Sequence, residues 1–505
     1  MARSFIGSMK GLLVLSKSDY MLYLKHPAWL WVKKKRRELI PPIDENLQAR
    51  FDQGHDFEKY VEPLFAPLVC LGFDDFSAYQ SLPNETLKAW EQGAVNVSQG
   101  RYVHGQATCI VDLLCKQEEG SYKLIEIKSS TSQKAEHIFD LAFQKVVLDG
   151  AGFPVDKCEL AIVNKEYVRV GDVEPEKLVS FIDVTDKVFA KVENTKVRIA
   201  NALATINMRQ MPDPKPEDAK LGSYSEWMQI RDQIDPPIAD TSIHKLPRMS
   251  ADKASKLIKD GITQISDILD YSALGKATQK YLRARDIGSR TVDKARLQQF
   301  LNELKYPLHF FDYETSQSLV PVWENTRPYQ QVTFQYSLHI QNEPGGELEH
   351  YEYLHKHISN PVPQLLAKLS QHLQPTGSVL VWYESFEKTR NSEMAGMYPN
   401  HKQFLEDLND RIIDLMVPFS EEMIIDPKFM GSSSIKAVLP VFNPSLSYKD
   451  LNIKEGGSAS RLWKEAVFEI EDENEKDKIF DDLIKYCERD TYAMVEIYNQ
   501  LLKYC

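Results

Sequence analysis

Two stretches of this 505-residue chain place ionisable side chains two apart in strand-like runs. In "LIEIKSS", residues 124–130, Glu126 and Lys128 alternate with Ile125 and Ile127. Successive side chains of a strand point to opposite faces, so the acid and the base share one face. In "LHFFDYET", residues 308–315, Leu308, Phe310, Asp312 and Glu314 share one face, and His309, Phe311 and Tyr313 share the other. An apolar strand face that ends in two carboxylates needs a cation or protons to be tolerable. A surface strand with a single salt bridge would account for Glu126 and Lys128 alone, so their partners decide.

Asp112 lies in a strand-like run from Cys109 to Cys115, joined by the turn-forming "QEEGS" to the run Tyr122–Lys128. A hairpin whose loop is centred near Glu119 and Gly120 brings Asp112 to within about one residue of Glu126. Two such carboxylates repel unless a cation sits between them, and magnesium favours oxygen ligands. A lysine beside them can steady a metal-bound water or the attacked phosphate, which is the chemistry of metal-assisted phosphodiester hydrolysis. Near the C-terminus, "LIKYCERDTYAMVEIYNQLL" reads as an amphipathic helix with the apolar stripe Leu483, Cys487, Met494, Tyr498 and Leu501. Asp490 falls on that stripe, where a carboxylate demands a partner, and Tyr486 lies one turn before it.

Helices and strands must hold these groups in place. "SKSDYMLYLKHPAWLWVKKKRR" opens as a capped helix does, and "ENLQARFDQGHDFEKYVEPLF" and "QKAEHIFDLAFQKVVLDGAG" read as further helices, with "KCELAIVN" the next strand. The segment "RQMPDPKPEDAKLG" reads as a long loop, residues 250–304 as several short helices, and the chain from "YPLHFFDYETS" onward as mixed strand and helix. The expected domains are residues 1–240, a helical connector at 241–305, and residues 306–505.

Length alone implies more than one hydrophobic core. The 43% hydrophobic and 27% charged composition is that of an ordinary soluble protein. No apolar run approaches the roughly 20 residues of a membrane helix, and "GLLVLS" is too short for a secretory signal, so a cytoplasmic protein without membrane contact is expected. Cys70, Cys109, Cys115, Cys158, Cys487 and Cys505 form no C-x-x-C pair, which argues against a disulfide framework and against a zinc or iron–sulfur site. The net charge of -12 does not advertise nucleic-acid binding. Two basic runs, "KKKRR" at 33–37 and the run from Lys276 to Arg296 with Lys280, Arg283, Arg285, Arg290 and Lys294, read equally as solvated helix faces or phosphate tracks.

The order Glu58, Asp112, Glu126-Ile127-Lys128 and Gln144 in "DLAFQ" resembles the PD-(D/E)XK nucleases, in particular the RecB-type branch that includes CRISPR-associated exonucleases. "SKSDYMLYLKHPAWLW" and "EYVRVG" are similar to that branch as well. The resemblance implies a restriction-endonuclease-like α/β fold in which Glu58, Asp112 and Glu126 bind metal, Lys128 is catalytic and Gln144 organises the site. Many relatives carry four cysteines on an iron–sulfur cluster, the first just before the proline of the opening helix. Here His26 precedes Pro27 and no cysteine lies between Cys158 and Cys487, so no cluster is expected and His26 is read as structural.

The D-x-E of the strand at 308–315 and the Y-x-x-x-D of the last helix resemble the DEDD exonucleases of the RNase H-like fold, tyrosine-bearing subclass. "WYESFEKTR" matches their third motif, with Tyr383 in the usual Asn position and Glu387 as the acid. The resemblance makes Asp312, Glu314, Glu387 and Asp490 ligands of two metal ions and Tyr486 the group that orients water. Asp414 in "RIIDLMVPF" is an accessory or structural acid. In "GSSSIKAVLP", Lys436 and a helix N-terminus are candidates to bind a phosphate, equally with a simple cap by Ser433 or Ser434. The whole chain resembles bacterial proteins that join a RecB-type nuclease domain to an RNase H-like domain of unassigned function. The expectation is a nuclease dependent on Mg2+ or Mn2+ with two active sites, acting on DNA from its ends, in repair or in defence against foreign DNA. The alternatives are an RNA exonuclease, or a nucleic-acid-binding scaffold with one or both sites inactive.

Overall fold

The computed structural model describes residues 14–118 and 120–505, so Glu119, a centre of the expected hairpin loop, lies outside it. The protein is mixed α/β and about half helical. It divides into two compact units, the described residues up to Lys245 with Met249–Asp267, and Leu246–Arg248 with Ile268–Cys505. The stretch read as a connector is thus shared between them.

The first unit is built on a seven-stranded mixed sheet. Its strands are β1 (Leu15–Ser16), β2 (Val69–Cys70), β3 (Asn96–His104), β4 (Ala107–Lys116), β5 (Tyr122–Lys128), β6 (Val155–Val163) and β7 (Val179–Asp183), in the order β2-β3-β4-β5-β6-β7 with β1 also on β4. The expected hairpin is β4 and β5. One edge of β4 is shared by two partners: β1 pairs in parallel with Ala107 and Thr108, and β5 pairs with the stretch from Leu113 to Lys116. Between them, Cys109–Asp112 pair with neither strand, and the sheet is split at that point. β5 continues the sheet through a parallel pairing with β6.

The helical opening of the chain breaks at Pro27, which cannot continue a helix, into α1 (Lys17–Lys25) and α2 (Pro27–Lys35). Ser16 caps α1 in a reciprocal box with Asp19. Lys33 and Lys34 of the first basic run bind the buried Asp19 at 2.9 and 2.6 Å, so these two charges serve the fold. His26 is fully engaged: Nδ1 accepts from the Ala28 amide, Nε2 lies 3.0 Å from the Lys215 carbonyl, and the ring stacks on Trp227. Two further helices, α3 (Glu45–Val61) and α4 (Ala135–Gly150), flank the sheet. Leu141, Phe143 and Val147 of α4 pack with Leu114, Leu124 and Leu160 in one core.

The second unit carries a five-stranded mixed sheet. Strands β8 (Leu308–Ser316), β9 (Val332–Gln341), β10 (Leu348–Leu354), β11 (Val379–Val381) and β12 (Ile412–Asp414) lie in the order β10-β9-β8-β11-β12. The alternation of β8 is realised as two cores. Leu308 and Phe310 pack with Trp463, Met494 and Tyr498 on one side, and Phe311 and Tyr313 pack with Leu365, Leu366 and Leu369 on the other. Helices α5 (Glu384–Met397), α6 (Ile435–Phe442) and α7 (Glu473–Leu502) matter below, and the stripe read on α7 is buried throughout. Much of the second basic run is consumed inside this unit. Arg283 grips Glu422, Arg290 binds Asp426 at 2.7 Å, and Lys280 donates to the Ser420 carbonyl. These three side chains clamp the segment 420–426 and are not arranged as a phosphate track.

Gly377, just before β11, has φ +88°, and a Cβ there would meet the Pro307 carbonyl oxygen at 2.0 Å. Gly377→Ala is therefore expected to destabilise the second unit by at least about 2 kcal/mol in denaturant unfolding followed by circular dichroism. An unchanged midpoint would mean that the chain does not make this turn.

Candidate metal centres

The split in the first sheet opens onto a group of buried charges. The last β4–β5 pair toward the split is Leu113 with Ile125, and one step further the register sets Asp112 against Glu126. There Asp112 Oδ2 accepts from the Ile127 amide at 2.8 Å, supplying the partner that the open edge of β4 does not. Glu126 is fully buried. Its Oε1 accepts from Lys128 at 2.6 Å and from Lys17 at 2.8 Å, and its Oε2 accepts from Gln144 Nε2 at 2.6 Å. Asp140, one turn before Gln144 on α4, accepts from Gln144 at 2.9 Å and from Lys128 at 3.0 Å. The structure thus brings together Asp112, Glu126, Lys128 and Gln144. Glu58 stands at the margin on α3, accepting from Gln99 at 3.1 Å, and burial together with the nearby Glu62 and Glu126 raises its carboxyl despite His55.

Lys17 and Asp140 were not singled out from the sequence. Asp140 was within reach, since D-x-x-x-Q puts it on the same helix face as Gln144. Lys17 was not, because only the placement of β1 beside the split carries it there. Burial and the charge of Glu126 push Asp112 up to about 7. Burial works against the Glu126 anion too, but Lys128 and Lys17 hold it well below the usual carboxylate range. Asp112, Glu126 and Asp140 together face two lysines, which leaves one negative charge in excess. Gln144 Oε1, a buried acceptor, has no hydrogen-bond partner among the described residues. This oxygen-rich set fits a hard divalent cation.

In the second unit the apolar face of β8 ends in Asp312 and Glu314, and α7 lays Tyr486, Cys487 and Asp490 against it. Ligand atoms of Asp312, Glu314 and Cys487 lie within 4.8 Å of one another. Tyr448 donates to Asp490 Oδ1 at 2.5 Å. Lys436 donates to Tyr486 Oη at 3.1 Å and to the Lys454 carbonyl at 2.7 Å, and its ammonium lies 5.0 and 5.1 Å from the Tyr448 and Tyr486 rings. Glu387, on the first turns of α5, is 1% exposed, and its Oε2 has no hydrogen-bond partner among the described residues.

Burial raises the whole set, and repulsion within it adds to the rise at Asp312 and Glu314. Asp312 is driven well above its usual range by burial, Asp490, Glu314 and Glu387. Burial and Asp490 take Glu314 to about 8, burial takes Glu387 to about 8, and burial takes Asp490 to about 6. Lys436 opposes the rise at Asp312, Glu314 and Asp490, joined by Arg489 at Asp490, and Arg390 opposes it at Glu387. Four carboxylates with one lysine among them, and with Arg489 and Arg390 acting on Asp490 and Glu387 alone, form an acid-rich set that fits divalent cations.

Asp414, read as accessory or structural, is used by the backbone. It accepts from the amides of Tyr383 at 3.0 Å, Glu384 at 3.3 Å and Met416 at 2.9 Å, and so holds the start of α5. Tyr383 has φ 81°, a left-handed conformation that Asn adopts far more readily than Tyr. Neither serine reading of the α6 start is realised as a cap, since Ser434 occupies the N-cap position without a side-chain bond to the helix. Tyr448 was not foreseen, and no spacing in the sequence links it to Asp490.

Residues 309–434 match the model of a family described as "Domain of unknown function (DUF2779)". This matched stretch contains Asp312, Glu314, Glu387 and Asp414 and stops before Lys436, Tyr486 and Asp490. The chain is similar to the uncharacterized protein MG366 of Mycoplasma genitalium, at 29% identity over 213 residues covering 39% of this chain and 32% of that protein. It is also similar to the uncharacterized protein UU173 of Ureaplasma parvum, at 24% identity over 217 residues covering 39% and 31%. It thus spans about a third of the length of these relatives. A solved structure titled "Crystal structure of SSO0001" aligns with 39% of this chain and 97% of its own, at 12% identity and a TM-score of 0.13. No described helix is long and apolar enough to cross a membrane.

Asp112, Glu314, Glu387 and Asp490 each keep a proton in the fold at a pH where the unfolded chain has lost it. Folding therefore takes up protons, and these groups make stability fall as pH rises from about 4 to about 8. Calorimetry in chelator is expected to give a lower melting temperature at about pH 8 than at about pH 5.5, with Glu387→Gln flattening the difference. A melting temperature that climbs across this window would contradict the assignment.

Proposed function

We propose that the protein is a metal-dependent nuclease, with DNA its favoured substrate, and that the cluster of Asp312, Glu314, Glu387, Asp490 and Tyr486 is its cutting site. The observation that carries this reading is the convergence of four carboxylates from β8, α5 and α7 on one place, Glu314 and Glu387 buried and Asp312 and Asp490 half-buried, with a single lysine beside them. On this reading the second unit has an RNase H-like fold and the first a restriction-endonuclease-like one. Mg2+ or Mn2+ bound by the carboxylates would stabilise charge developing on the phosphate and the leaving oxygen. Asp312, Glu314 and Asp490 hold their oxygens on two packed elements, so their positions are set before substrate arrives. Tyr448 fixes Asp490 by its hydrogen bond. Lys436 donates to the Tyr486 hydroxyl, which itself bonds Asp490, so Tyr486 stands against the carboxylates where it would orient a water. In the first unit, Asp112 and Glu126 would hold the cation and Lys128 would meet the phosphate.

One observation favours a second reading for the first unit. Lys17 shares Glu126 Oε1 with Lys128, so that oxygen already carries two ammonium groups. A site whose central carboxylate is already met by its own lysines suits a unit that binds nucleic acid without cutting it.

The test uses end-labelled single-stranded DNA, duplex DNA and RNA with Mg2+, Mn2+ or chelator, comparing the natural chain with Lys128→Ala, Asp312→Ala and the double variant. Metal-dependent cleavage is expected, reduced at least about 100-fold in Asp312→Ala. Loss in Lys128→Ala alone would move the cutting to the first unit. Binding of DNA with no cleavage under any condition would overturn the nuclease reading and leave a scaffold.

A further inference from the structure

The second unit holds another set of metal-ligating side chains, on the far side of α7 from Tyr486. His339 and His350 stand directly opposite each other in the β9–β10 pair, with their rings stacked at 4.3 Å and 23°. Ligand atoms of His339, His350 and Glu488 of α7 lie within 4.8 Å of one another. We propose that these three side chains form a site for a transition-metal ion of the zinc type, separate from the carboxylate clusters.

The protons in the surrounding network support this. Thr491 Oγ1 donates to the Glu488 carbonyl at 3.1 Å, which uses its only proton. The same oxygen lies 2.9 Å from His339 Nδ1 and 2.7 Å from Ser337 Oγ, and it can only accept from both. Ser337 has then spent its proton on Thr491, so at 3.0 Å it accepts from His350 Nε2. With the Thr491 proton on that carbonyl, each imidazole carries its own proton on the nitrogen that faces this hydroxyl chain. His339 Nε2 and His350 Nδ1 are left as lone pairs, the state a metal ligand requires. The hydroxyls fix ring orientation in the way that partners behind metal-bound histidines do.

Two imidazoles and a carboxylate suit zinc and its neighbours, whereas the carboxylate-rich clusters suit magnesium or manganese. Zinc bonds of about 2.0–2.1 Å require donors about 3.3 Å apart, so the three must draw together. His350 is exposed, so its ring has solvent on one side and room to adjust. Glu352 of β10 adds a neighbouring acid, placed opposite Ser337. An ion here would tie the β9–β10 pair to the turn of α7 that also carries Asp490. Ser337 is paired across β8 with Asp312, so the clamp would bear on the elements that position the carboxylates.

The test titrates Co2+, a coloured substitute for zinc, into the metal-stripped full chain and follows its visible absorption. One saturable equivalent is expected, displaced by Zn2+ and indifferent to excess Mg2+, retained in Asp312→Asn and weakened at least about 10-fold in His350→Ala and in Glu488→Gln. Two surface-side variants guard against a fold defect in either, and circular dichroism verifies both. Absence of Co2+ absorption, equal affinity in both variants, or loss of binding in Asp312→Asn would each overturn the proposal.

Discussion

Carboxylates in a protein interior must find positive charge or protons, and much of this architecture answers to that demand. An uncompensated buried anion costs several kcal/mol, more than most single contacts in a fold supply. Both sheets nevertheless carry acids into their cores, each at an interruption in regular structure. In the first unit the interruption is the split edge of β4. In the second it is the point where the apolar face of β8 runs out beneath α7.

The two units meet the demand differently. Around Glu126 the compensation is internal, through Lys128, Lys17 and the Gln144 amide. Around Asp312 it is incomplete. Tyr448 donates to Asp490 and Lys436 contributes one charge, while Glu387 keeps a buried oxygen without a partner among the described residues. The second unit therefore stays acid-rich, although its motif departs further from the family it resembles. Tyr383 in the left-handed position and Glu387 for Asp change the shape of the third motif but keep its charge.

Local patterns carried much of this into view. The alternation of β8, the hairpin register at Asp112 and the buried stripe of α7 all follow from period and turn chemistry, and each is present as expected. Strand β3 was not read, because its mostly polar "NVSQGRYVH" run has little apolar alternation and is strand by virtue of pairing on both edges. Lys17, Tyr448 and the meeting of Glu488 with the His339–His350 pair depend on contacts between segments far apart in the chain, which no local spacing encodes. The basic run at 276–296 shows the same limit. Its charges read equally as a solvated face or a phosphate track, and Arg283 and Arg290 are instead held by Glu422 and Asp426, acids more than a hundred residues away.

The central claim is that the carboxylates of the second unit are a binding site for divalent metal. The most direct measurement is a Mn2+ titration of the full chain followed by electron paramagnetic resonance, in which the signal of the free ion disappears on binding. The account predicts saturable binding by the natural chain and at least about 10-fold weaker binding when Asp312 and Asp490 are both replaced by Asn. Mn2+ that stays free in the presence of the natural chain, or that binds the Asn variant equally well, would contradict it.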